Sequence, residues 1–409
     1  MIIQPAERTK GVQEYYFSRK QKDLDAVSAD RAAKGLGSLI NLGIGAPDGM
    51  PPMSAIEALQ RTASLPDSHK YQNYKGLPVL RQAFADWYKR YYGVTLNPNG
   101  GIQPLVGSKE GILLISLAFV NPGDKVLVPD PGYPTYSSSA QLAGAEILKY
   151  DLKAENGWFP DFDELEKMNL EGVKLMWVNY PNMPTGASAT PELYQKFVNF
   201  GLKHNILIVN DNPYSFILTD KPISILAADG AWDCCLELNS LSKAHNMSGW
   251  RVGMVAGDPG MVNEILKVKS QMDSGMFKAM QIAAVSALAE GPDWFEKLNA
   301  EYKARRIVAG RIFDALGVTY NPNSTGLFLW GKVSSETAAG LAKTAAGNHC
   351  QMTIGEQLSE KILHGTGVFI TPGFVFGKNG ENYVRISLCA PVPTLEEGLA
   401  RINAFLASN

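Results

Sequence analysis

The sequence predicts an α/β protein whose large domain has a mostly parallel, mixed sheet covered by helices on both faces, with a smaller α+β domain beside it. Short apolar segments typical of strands alternate with helical patterns, which favours a parallel sheet. These segments are apolar without interruption, as expected for strands that are buried on both faces. The pattern changes after about residue 290, where the second domain is predicted.

The elements of the large domain follow from hydrophobic periodicity. Helical patterns at 108–119 and 191–204 lie between runs of Val, Ile, Leu and Met. The predicted strands cover residues 126–128, 175–178, 206–209, 236–238 and 252–256.

The C-terminal part begins with a long charged helical pattern at 294–316, followed by an apolar run at 327–330. A length of 409 residues fits two or three domains. We predict the following division: an N-terminal arm at 1–20, a large domain at 51–290, and a small domain formed by 21–50 together with 291–409.

Composition and charge exclude several classes of protein. Lys and Arg number 38 against 40 Asp and Glu, a net charge of −2 without a basic run, which gives no support to nucleic-acid binding. The longest apolar runs, 111–120 and 280–289, are far shorter than the ~20 residues of a membrane helix. The first twenty residues contain no apolar core of a secretory signal.

The remaining compositional signals indicate a cytoplasmic protein without a metal site. The five histidines are scattered and no HExxH motif occurs, so no metal is expected. The glycines at 43 and 45 superficially resemble a dinucleotide loop, but prolines follow where that loop needs a helix. The cysteines have no CxxC spacing, which predicts reduced thiols and a cytoplasmic location; they are Cys234, Cys235, Cys350 and Cys389.

Two segments place polar groups where a strand ends. Ser108 and Lys109 follow Gly107 at the start of a predicted helix, where free backbone N–H groups bind anions. The alternative is that Ser108 is an ordinary N-cap. Asp211 and Tyr214 follow the strand at 206–209, and ligands bind at the carboxyl ends of strands in open α/β sheets. The alternative for Asp211 is that it caps the next turn.

Two further segments combine cations with apolar strands. Ser240, Lys243 and Arg251 follow the strand at 236–238. A lysine that loses hydration there has a lowered pKa and can attack carbonyl groups, whereas an isolated lysine is usually a surface residue. Arg385 interrupts a strand-like run at 383–387. Its planar fork suits a carboxylate, although an arginine on an edge strand can also face water.

Taken together and in this order, these segments resemble the pyridoxal-phosphate-dependent aminotransferases of fold type I, in the class I/II branch. The resemblance extends from the segment at 41–48 to the strand of Arg385. Its additional anchors are Gly45, Tyr71 five residues before Gly76, the turn at 130–134 with Tyr133, and the Pro184-Thr185-Gly186 run.

The resemblance implies pyridoxal 5′-phosphate as cofactor and assigns the catalytic residues. Lys243 would hold the cofactor as a Schiff base and move the α-proton of the substrate. Asp211 would pair with the protonated pyridine nitrogen, which improves the ring as an electron sink. Tyr214 would donate to the ring hydroxyl, and Tyr133 would stack on the ring.

The same resemblance assigns the other ligands. The phosphate would be held by Ser108, Lys109, Ser240 and Arg251, with Tyr71 reaching it from the other subunit of a homodimer. The substrate α-carboxylate would be bound by Arg385, and Gly45 would leave it room.

One position departs from the family pattern. The family usually has Asn directly before Pro-Thr-Gly, donating to the ring hydroxyl, but this sequence has Met183, preceded by Asn182. A thioether cannot donate a hydrogen bond. Either Asn182 shifts to bind the cofactor, or Tyr214 acts alone. The resemblance also suggests cis peptide bonds before Pro131 and Pro184.

The implied activity is transfer of an amino group from an amino acid to a 2-oxo acid in two half-reactions. A C–S lyase acting by β-elimination on the same fold is the alternative. A cofactor-sensing regulator is disfavoured because such proteins have an appended DNA-binding segment, and only about twenty residues precede the fold. A degenerate scaffold is disfavoured because Lys243, Asp211 and Arg385 are all present.

The sequence also gives a hypothesis about the substrate side chain. Aspartate-specific relatives read the distal carboxylate with an arginine from the neighbouring subunit, but the stretch at 270–281 has Lys278 and no arginine. Tyr15, Tyr16 and Phe17 are expected near the mouth of the site. We therefore expect a preference for a neutral or apolar side chain over aspartate.

Overall fold

A seven-stranded mixed sheet lies at the centre of the computed structural model, which describes residues 3–12, 14–219, 221–345 (backbone only at 342–345) and 352–408. The strands in the described residues are β1 (Ile40–Asn41), β2 (Ile102–Leu105), β3 (Lys125–Asp130), β4 (Glu146–Asp151), β5 (Val173–Val178), β6 (Leu207–Asp211), β7 (Cys235–Ser240), β8 (Gly253–Gly257), β9 (Val318–Tyr320), β10 (Phe328–Val333), β11 (Val368–Phe369), β12 (Thr371–Pro372) and β13 (Tyr383–Ser387).

Helices connect and cover these strands. They are α1 (Glu7–Lys10), α2 (Tyr16–Ala33), α3 (Met53–Ala63), α4 (Pro78–Tyr92), α5 (Ser108–Phe119), α6 (Pro134–Leu142), α7 (Phe162–Lys167), α8 (Pro191–His204), α9 (Ala231–Cys234), α10 (Leu241–Ala244), α11 (Pro259–Lys269), α12 (Lys278–Leu288), α13 (Pro292–Ala315), α14 (Ser335–Ala345), α15 (Ile354–Thr366) and α16 (Val392–Ala407). Short 3-10 turns lie at Pro66–His69, Ala154–Asn156, Ile225–Ala227, Ser248–Trp250, Gly373–Phe376 and Lys378–Gly380.

The large sheet has the predicted mixed, mostly parallel character. Its spatial order is β2-β8-β7-β6-β5-β3-β4, and only β8 is antiparallel to its neighbours. The predicted strands overlap β3, β5, β6, β7 and β8, although those predicted at 206–209 and 252–256 each begin one residue too early. The predicted helices at 108–119 and 191–204 coincide with α5 and α8. The fold class is thereby confirmed.

Both faces of the large sheet are buried. Val126 and Trp177 pack into one apolar cluster, whereas Leu127 and Met176 pack into another. Because successive side chains of a strand point to opposite faces, the two clusters lie on opposite sides of the sheet. This arrangement explains why the strands are apolar without alternation.

The smaller part of the molecule contains a four-stranded antiparallel sheet in the order β12-β13-β10-β9, and the parallel pair β1-β11. One apolar cluster joins Ile40 and Leu42 to residues between 298 and 402. This packing supports the predicted small domain, whose bounds stay a prediction. Helix α2 extends across the predicted boundary at residue 20, and the ion pair between Lys20 and Glu360, 2.6 Å long, attaches it to α15.

The parallel topology brings several chain segments to one edge. Strands β3, β5, β6 and β7 run in the same direction, so the residues that follow them share the carboxyl edge of the sheet. In the part of the chain that is described, no helix is long and apolar enough to cross a membrane.

Candidate active site

A cavity of about 740 Å³ lies at this carboxyl edge and reaches β10 and β13 of the four-stranded sheet. It brings together most of the residues that the sequence predicts for the site. Those that line it are Gly45, Ser108, Lys109, Tyr133, Asp211, Tyr214, Ser240, Lys243, Arg251 and Arg385. Among residues 3–12, 14–219, 221–345 and 352–408, no group of three or more His, Cys, Asp or Glu could hold a metal ion.

Lys243 lies in the short helix α10, directly after β7, and its side chain enters the cavity. Its Nζ donates to the carbonyl oxygen of Gly45 at 2.6 Å. Loss of hydration lowers the pKa of the amine below its ordinary value, and the positive charges of Arg251 and Arg385 lower it further. The alternative of an ordinary surface lysine is therefore excluded.

Asp211 is the last residue of β6 and is 5% exposed. Its Oδ2 accepts a hydrogen bond from the Tyr136 hydroxyl at 2.9 Å, whereas its buried Oδ1 has no partner. Burial raises the pKa of this carboxyl to about 6, against the opposing effects of Tyr136 and Lys243. Asp211 does not cap the next turn; Oδ1 is an acceptor that a cationic N–H in the cavity would satisfy.

This raised pKa predicts how the stability of the cofactor-free protein depends on pH. The folded state binds the Asp211 proton more tightly than the unfolded chain, so the stabilisation is complete below pH 4 and is lost as the pH rises through 6. Asp211→Asn cannot ionise, so we expect its unfolding free energy, measured relative to that of the wild type, to increase by about 2 kcal/mol from pH 4 to pH 7. Urea unfolding of both cofactor-free proteins measures this difference, and a difference independent of pH contradicts the assignment.

An anion site lies next to these two residues. Gly107 has a φ of +79°, and a Cβ there would lie only 2.2 Å from Nη2 of Arg251. Helix α5 begins at Ser108, and its N-cap is Gly107, so Ser108 is not an ordinary N-cap serine. The helix N-terminus, the Ser240 hydroxyl and the Arg251 guanidinium face one cavity, which suits a dianion such as a phosphate ester.

Arg385 lies on β13, between β12 and β10, and is only 4% exposed. Its Nη2 donates to the carbonyl oxygen of Gly43 at 2.8 Å and its Nη1 contacts Sδ of Met183 at 3.3 Å, while its buried Nε has no partner. Its guanidinium carbon is 3.9 Å from the ring centroid of Phe328. Burial lowers the pKa of the guanidinium to about 10. A buried cation with a free donor is suited to binding a carboxylate.

The structure does not agree with the alternative in which Asn182, just before Met183 and the Pro-Thr-Gly run, binds the cofactor. Asn182 does not line the cavity: its side-chain nitrogen donates to the carbonyl oxygen of Asn179 at 3.1 Å, and its side-chain oxygen accepts from the Thr185 hydroxyl at 2.7 Å. These bonds hold its amide away from the site. The suggested cis bonds before Pro131 and Pro184 are present, together with one before Pro181 that the sequence analysis did not predict.

The sequence did not predict two residues that donate hydrogen bonds to Asp211, namely Asn179 and Tyr136. Asn179 lines the cavity and donates to the backbone oxygen of Asp211 at 2.5 Å. It is the first residue after β5, so the rule that identified Asp211 could have identified it. Tyr136 lies three residues after Tyr133 at the start of α6, a spacing that places two side chains on one helix face.

The mouth of the cavity is formed partly by the N-terminal segment. Tyr15 and Phe17 line it as expected, whereas the Tyr16 ring packs edge-on against Phe374. The ammonium of Lys109 lies 4.9 Å from the centroid of the Tyr15 ring. Tyr71 lies outside the cavity and is 90% exposed.

Comparison with known protein families shows which family the chain belongs to. The sequence model of the family "Aminotransferase class I and II" matches residues 38–402. The chain belongs to the class I and II aminotransferases. As a member, it is a pyridoxal-phosphate-dependent enzyme that moves an amino group from an amino acid to a 2-oxo acid.

Individual relatives of this aminotransferase agree with that assignment. It is 38% identical to an LL-diaminopimelate aminotransferase of Dehalococcoides mccartyi over 98% of both chains. It is 40% identical to an LL-diaminopimelate aminotransferase of Maridesulfovibrio salexigens over 97% of this chain and 98% of the relative. These relatives support aminotransferase activity and give no support to the C–S lyase alternative.

Solved structures confirm the fold of the aminotransferase. Substrate-bound BacF of Bacillus subtilis superposes with a TM-score of 0.87 at 34% identity, covering 99% of this chain and 98% of the other. An aminotransferase of Staphylococcus aureus gives 0.85 at 29% identity, with 98% of both chains covered.

The residues of the cavity fit pyridoxal phosphate. The unpartnered Oδ1 of Asp211 suits a protonated ring nitrogen, and the cradle of Ser108, Ser240 and Arg251 suits the phosphate. The amine of Lys243, with its lowered pKa, enters the same cavity.

Proposed function

We propose that this aminotransferase binds its cofactor covalently through Lys243 and that the same amine moves the α-proton of the amino acid. The observation that supports this most directly is the partly buried, poorly hydrated amine of Lys243 in one cavity with the unpartnered Oδ1 of Asp211. When bound, pyridoxal phosphate supplies an electron sink for negative charge at the amino-acid α-carbon.

The cavity residues divide the remaining tasks among them. Asp211, oriented by Tyr136 and Asn179, keeps the ring nitrogen protonated. Tyr214 donates to the ring hydroxyl without help from Asn182, whose amide is bonded elsewhere. Tyr133 stacks on the ring.

The charged groups bind the two anions of the reaction. The Ser108 hydroxyl, the backbone amides of Ser108 and Lys109, Ser240 and Arg251 hold the phosphate, which leaves the Lys109 ammonium free beside the Tyr15 ring. Arg385 holds the substrate α-carboxylate. Gly45 lets the Phe328 ring lie against the Arg385 guanidinium, because a Cβ at position 45 would lie 2.3 Å from that ring.

For the substrate we propose LL-diaminopimelate, because relatives that are 38–40% identical over nearly their full length are LL-diaminopimelate aminotransferases. The distal end of this amino acid has one ammonium and one carboxylate group and is neutral overall, which agrees with the expected preference for a neutral side chain. A mouth that combines one cation, Lys109, with the aromatic rings of Tyr15 and Phe17 can contact both the charged end and the methylene chain.

A visible absorption titration tests the activity and the substrate together. The purified enzyme is mixed with LL-diaminopimelate, aspartate, leucine, methionine or phenylalanine, and loss of the absorption band of the bound cofactor identifies an amino donor. Recovery of the band with 2-oxoglutarate completes the second half-reaction. We expect LL-diaminopimelate to cause the loss of the band at the lowest concentration. A response to any of the other four amino acids at a lower concentration contradicts the substrate proposal, and turnover of aspartate far better than of the others also contradicts the preference for a neutral side chain.

We also propose a homodimer in which Tyr71 completes the phosphate site of the partner. Two chain segments carry exposed large apolar side chains: Leu65, Tyr71 and Tyr74 on one, and Met272 and Phe277 on the other. The segments are adjacent, because a Cβ at position 275 would lie 2.5 Å from the backbone oxygen of residue 72. Exposed apolar patches of this kind mark protein interfaces.

Mixing two inactive variants tests this interface. Tyr71→Ala and Lys243→Ala each damage a different component of the site, so a hybrid dimer contains one intact site that combines Tyr71 of one chain with Lys243 of the other. Recovery of activity after the two variants are mixed supports the shared site, and its absence from hybrids verified by native mass spectrometry contradicts it.

The buried free thiols of Cys234, Cys235 and Cys389 agree with the proposed cytoplasmic location. Cys350 lies outside the described residues.

A further inference from the structure

The end of strand β3 is bound to a loop of the smaller sheet that is distant in sequence. Asp130, the last residue of β3, is 3% exposed. Its Oδ2 accepts from the backbone N–H of Lys378 and its Oδ1 from that of Asn379, both at 3.0 Å. Nζ of Lys149 is a third donor, 3.1 Å from Oδ2. Donors on both oxygens fix this carboxylate in one orientation.

Backbone contacts reinforce the attachment of this loop. The Asn379 side chain donates to the backbone oxygen of Asp130 at 3.0 Å, and the N–H of Gly132 donates to the backbone oxygen of Phe376 at 2.8 Å. Gly377 has a φ of +138°, and a Cβ there would lie 2.1 Å from Oδ1 of Asp130. Glycine at this position therefore lets the loop approach the carboxylate.

The attached loop forms part of the candidate site. The Phe376 ring lines the cavity, with its centroid 4.5 Å from the guanidinium carbon of Arg385. On the other side of the contact, Gly132 precedes Tyr133, which also lines the cavity. Displacement of the loop would thus move one wall of the space in which the Arg385 guanidinium lies.

We propose that Asp130 is a positioning residue for substrate binding, which acts by holding the 376–379 loop and thereby the Phe376 wall beside Arg385. This inference rests on the proposed function, in which Arg385 binds the substrate α-carboxylate. The hydrogen-bond partners of the Asp130 carboxylate are loop amides and Lys149, not Lys243 or Asp211. Its loss is therefore expected to weaken amino-acid binding and to leave proton transfer unchanged.

Substitution of Asp130 is compared with a matched control on the neighbouring strand. Asp130→Asn keeps the size of the side chain but replaces one acceptor oxygen by a donor NH₂. Asp151 ends β4 in the same way and accepts from the Asn379 side chain at 2.8 Å, but it is exposed and accepts no loop amide. We expect Asp130→Asn to raise KM for the amino donor about tenfold, with kcat within about twofold of wild type. Asp151→Asn is expected to keep the wild-type KM.

A second substitution tests the same contact from the loop. Gly377→Ala leaves the carboxylate intact and pushes the loop away from it, so we expect the same rise in KM as for Asp130→Asn. If Asp130→Asn does not fold, Gly377→Ala provides the test. Cofactor content and the absorption spectrum of the resting enzyme are expected to equal those of wild type in both variants.

Three outcomes overturn the inference. One is an Asp130→Asn enzyme with a lowered Tm and an unchanged KM, because a residue with a purely structural role gives this result. Another is an equal rise of KM in Asp151→Asn. The third is a fall in kcat at constant KM. A wild-type enzyme whose spectrum responds to no amino acid contradicts the proposed function instead, so the two failures are distinguishable.

Discussion

Replacing Lys243 with alanine is expected to lower kcat/KM for transamination by at least about 10⁴-fold, because one amine has two tasks in the proposed site. It holds the cofactor covalently and it moves the α-proton. The low hydration of this amine lowers its pKa and thereby increases the share of the neutral form that both tasks require. Steady-state kinetics of the wild type and the variant measure the loss, and added methylamine is expected to restore part of the proton transfer.

A second lysine provides an internal control for this prediction. Lys269 is fully buried, but its Nζ is paired with Glu110 at 3.0 Å and with Asp273 at 2.5 Å. These two carboxylates hold the amino group in ion pairs, and Lys269 does not line the cavity. Borohydride reduction of the wild-type holoenzyme followed by peptide mass spectrometry is expected to find the cofactor on Lys243. Label on Lys269, or activity of Lys243→Ala close to wild type, contradicts the assignment.

The contrast between Lys243 and Lys269 shows which features of the site can be predicted from the sequence. Strand periodicity and the rule that ligands bind at the carboxyl ends of parallel strands made Asp211, Ser240 and Lys243 candidates, but only the family resemblance assigned their roles. The structure brings the three residues together because β6 and β7 are parallel neighbours. The same rule could have selected Asn179. The sequence does not show that Lys269 has a carboxylate partner. That partner, Glu110 on α5, contacts Lys269 on α11 only in the folded chain, because the two residues are far apart in sequence.

The environment of Arg385 could not be predicted in the same way. One arginine in an apolar strand fits a water-facing edge as well as a binding site. The structure decides because β13 pairs with both β12 and β10, with Arg385 opposite Thr371 and Trp330. Strand neighbours are set by long-range pairing, which local periodicity does not contain.

Local sequence was also insufficient for the direction of a side-chain amide. Asn182 and Met183 are adjacent in sequence, yet only Met183 lines the cavity. The amide of Asn182 is held by Asn179 and Thr185, within a turn that contains cis peptide bonds before Pro181 and Pro184. The resemblance predicted the second of these bonds and thus the place of the turn, but not the direction of each side chain in it.

Arg385→Met is expected to weaken substrate binding strongly while stabilising the cofactor-free protein. The variant loses a charge-assisted, two-pronged contact with the α-carboxylate, for which we expect KM to rise by about 10³-fold. It also removes a buried guanidinium whose acceptors are one carbonyl and one thioether and whose Nε has no partner. Replacing such a charge with an apolar side chain is expected to raise the unfolding free energy by about 1–2 kcal/mol, net of the lost contact with the Phe328 ring.

Arg305 is the matched control for the change in stability. It is 7% exposed, close to the value for Arg385, but its Nη1 lies 2.6 Å from Oδ1 of Asp48 and also donates to the backbone oxygen of Leu388 at 3.1 Å. Arg305→Met leaves these acceptors unpaired, so we expect it to lose about 1–3 kcal/mol of unfolding free energy. Urea unfolding of the cofactor-free variants measures both changes.

A gain in unfolding free energy for Arg385→Met and a loss for Arg305→Met would distinguish a binding arginine from a structural one, because the two side chains are similarly buried. A cation that folding leaves without an anionic partner lowers stability, and the anion that offsets this cost can only come from outside the chain. The same reasoning predicts that an unreactive carboxylate, such as maleate, stabilises the wild type and not Arg385→Met. Equal destabilisation by both substitutions, with no effect of maleate on either protein, would mean that Arg385 has a structural role and that the substrate carboxylate binds elsewhere.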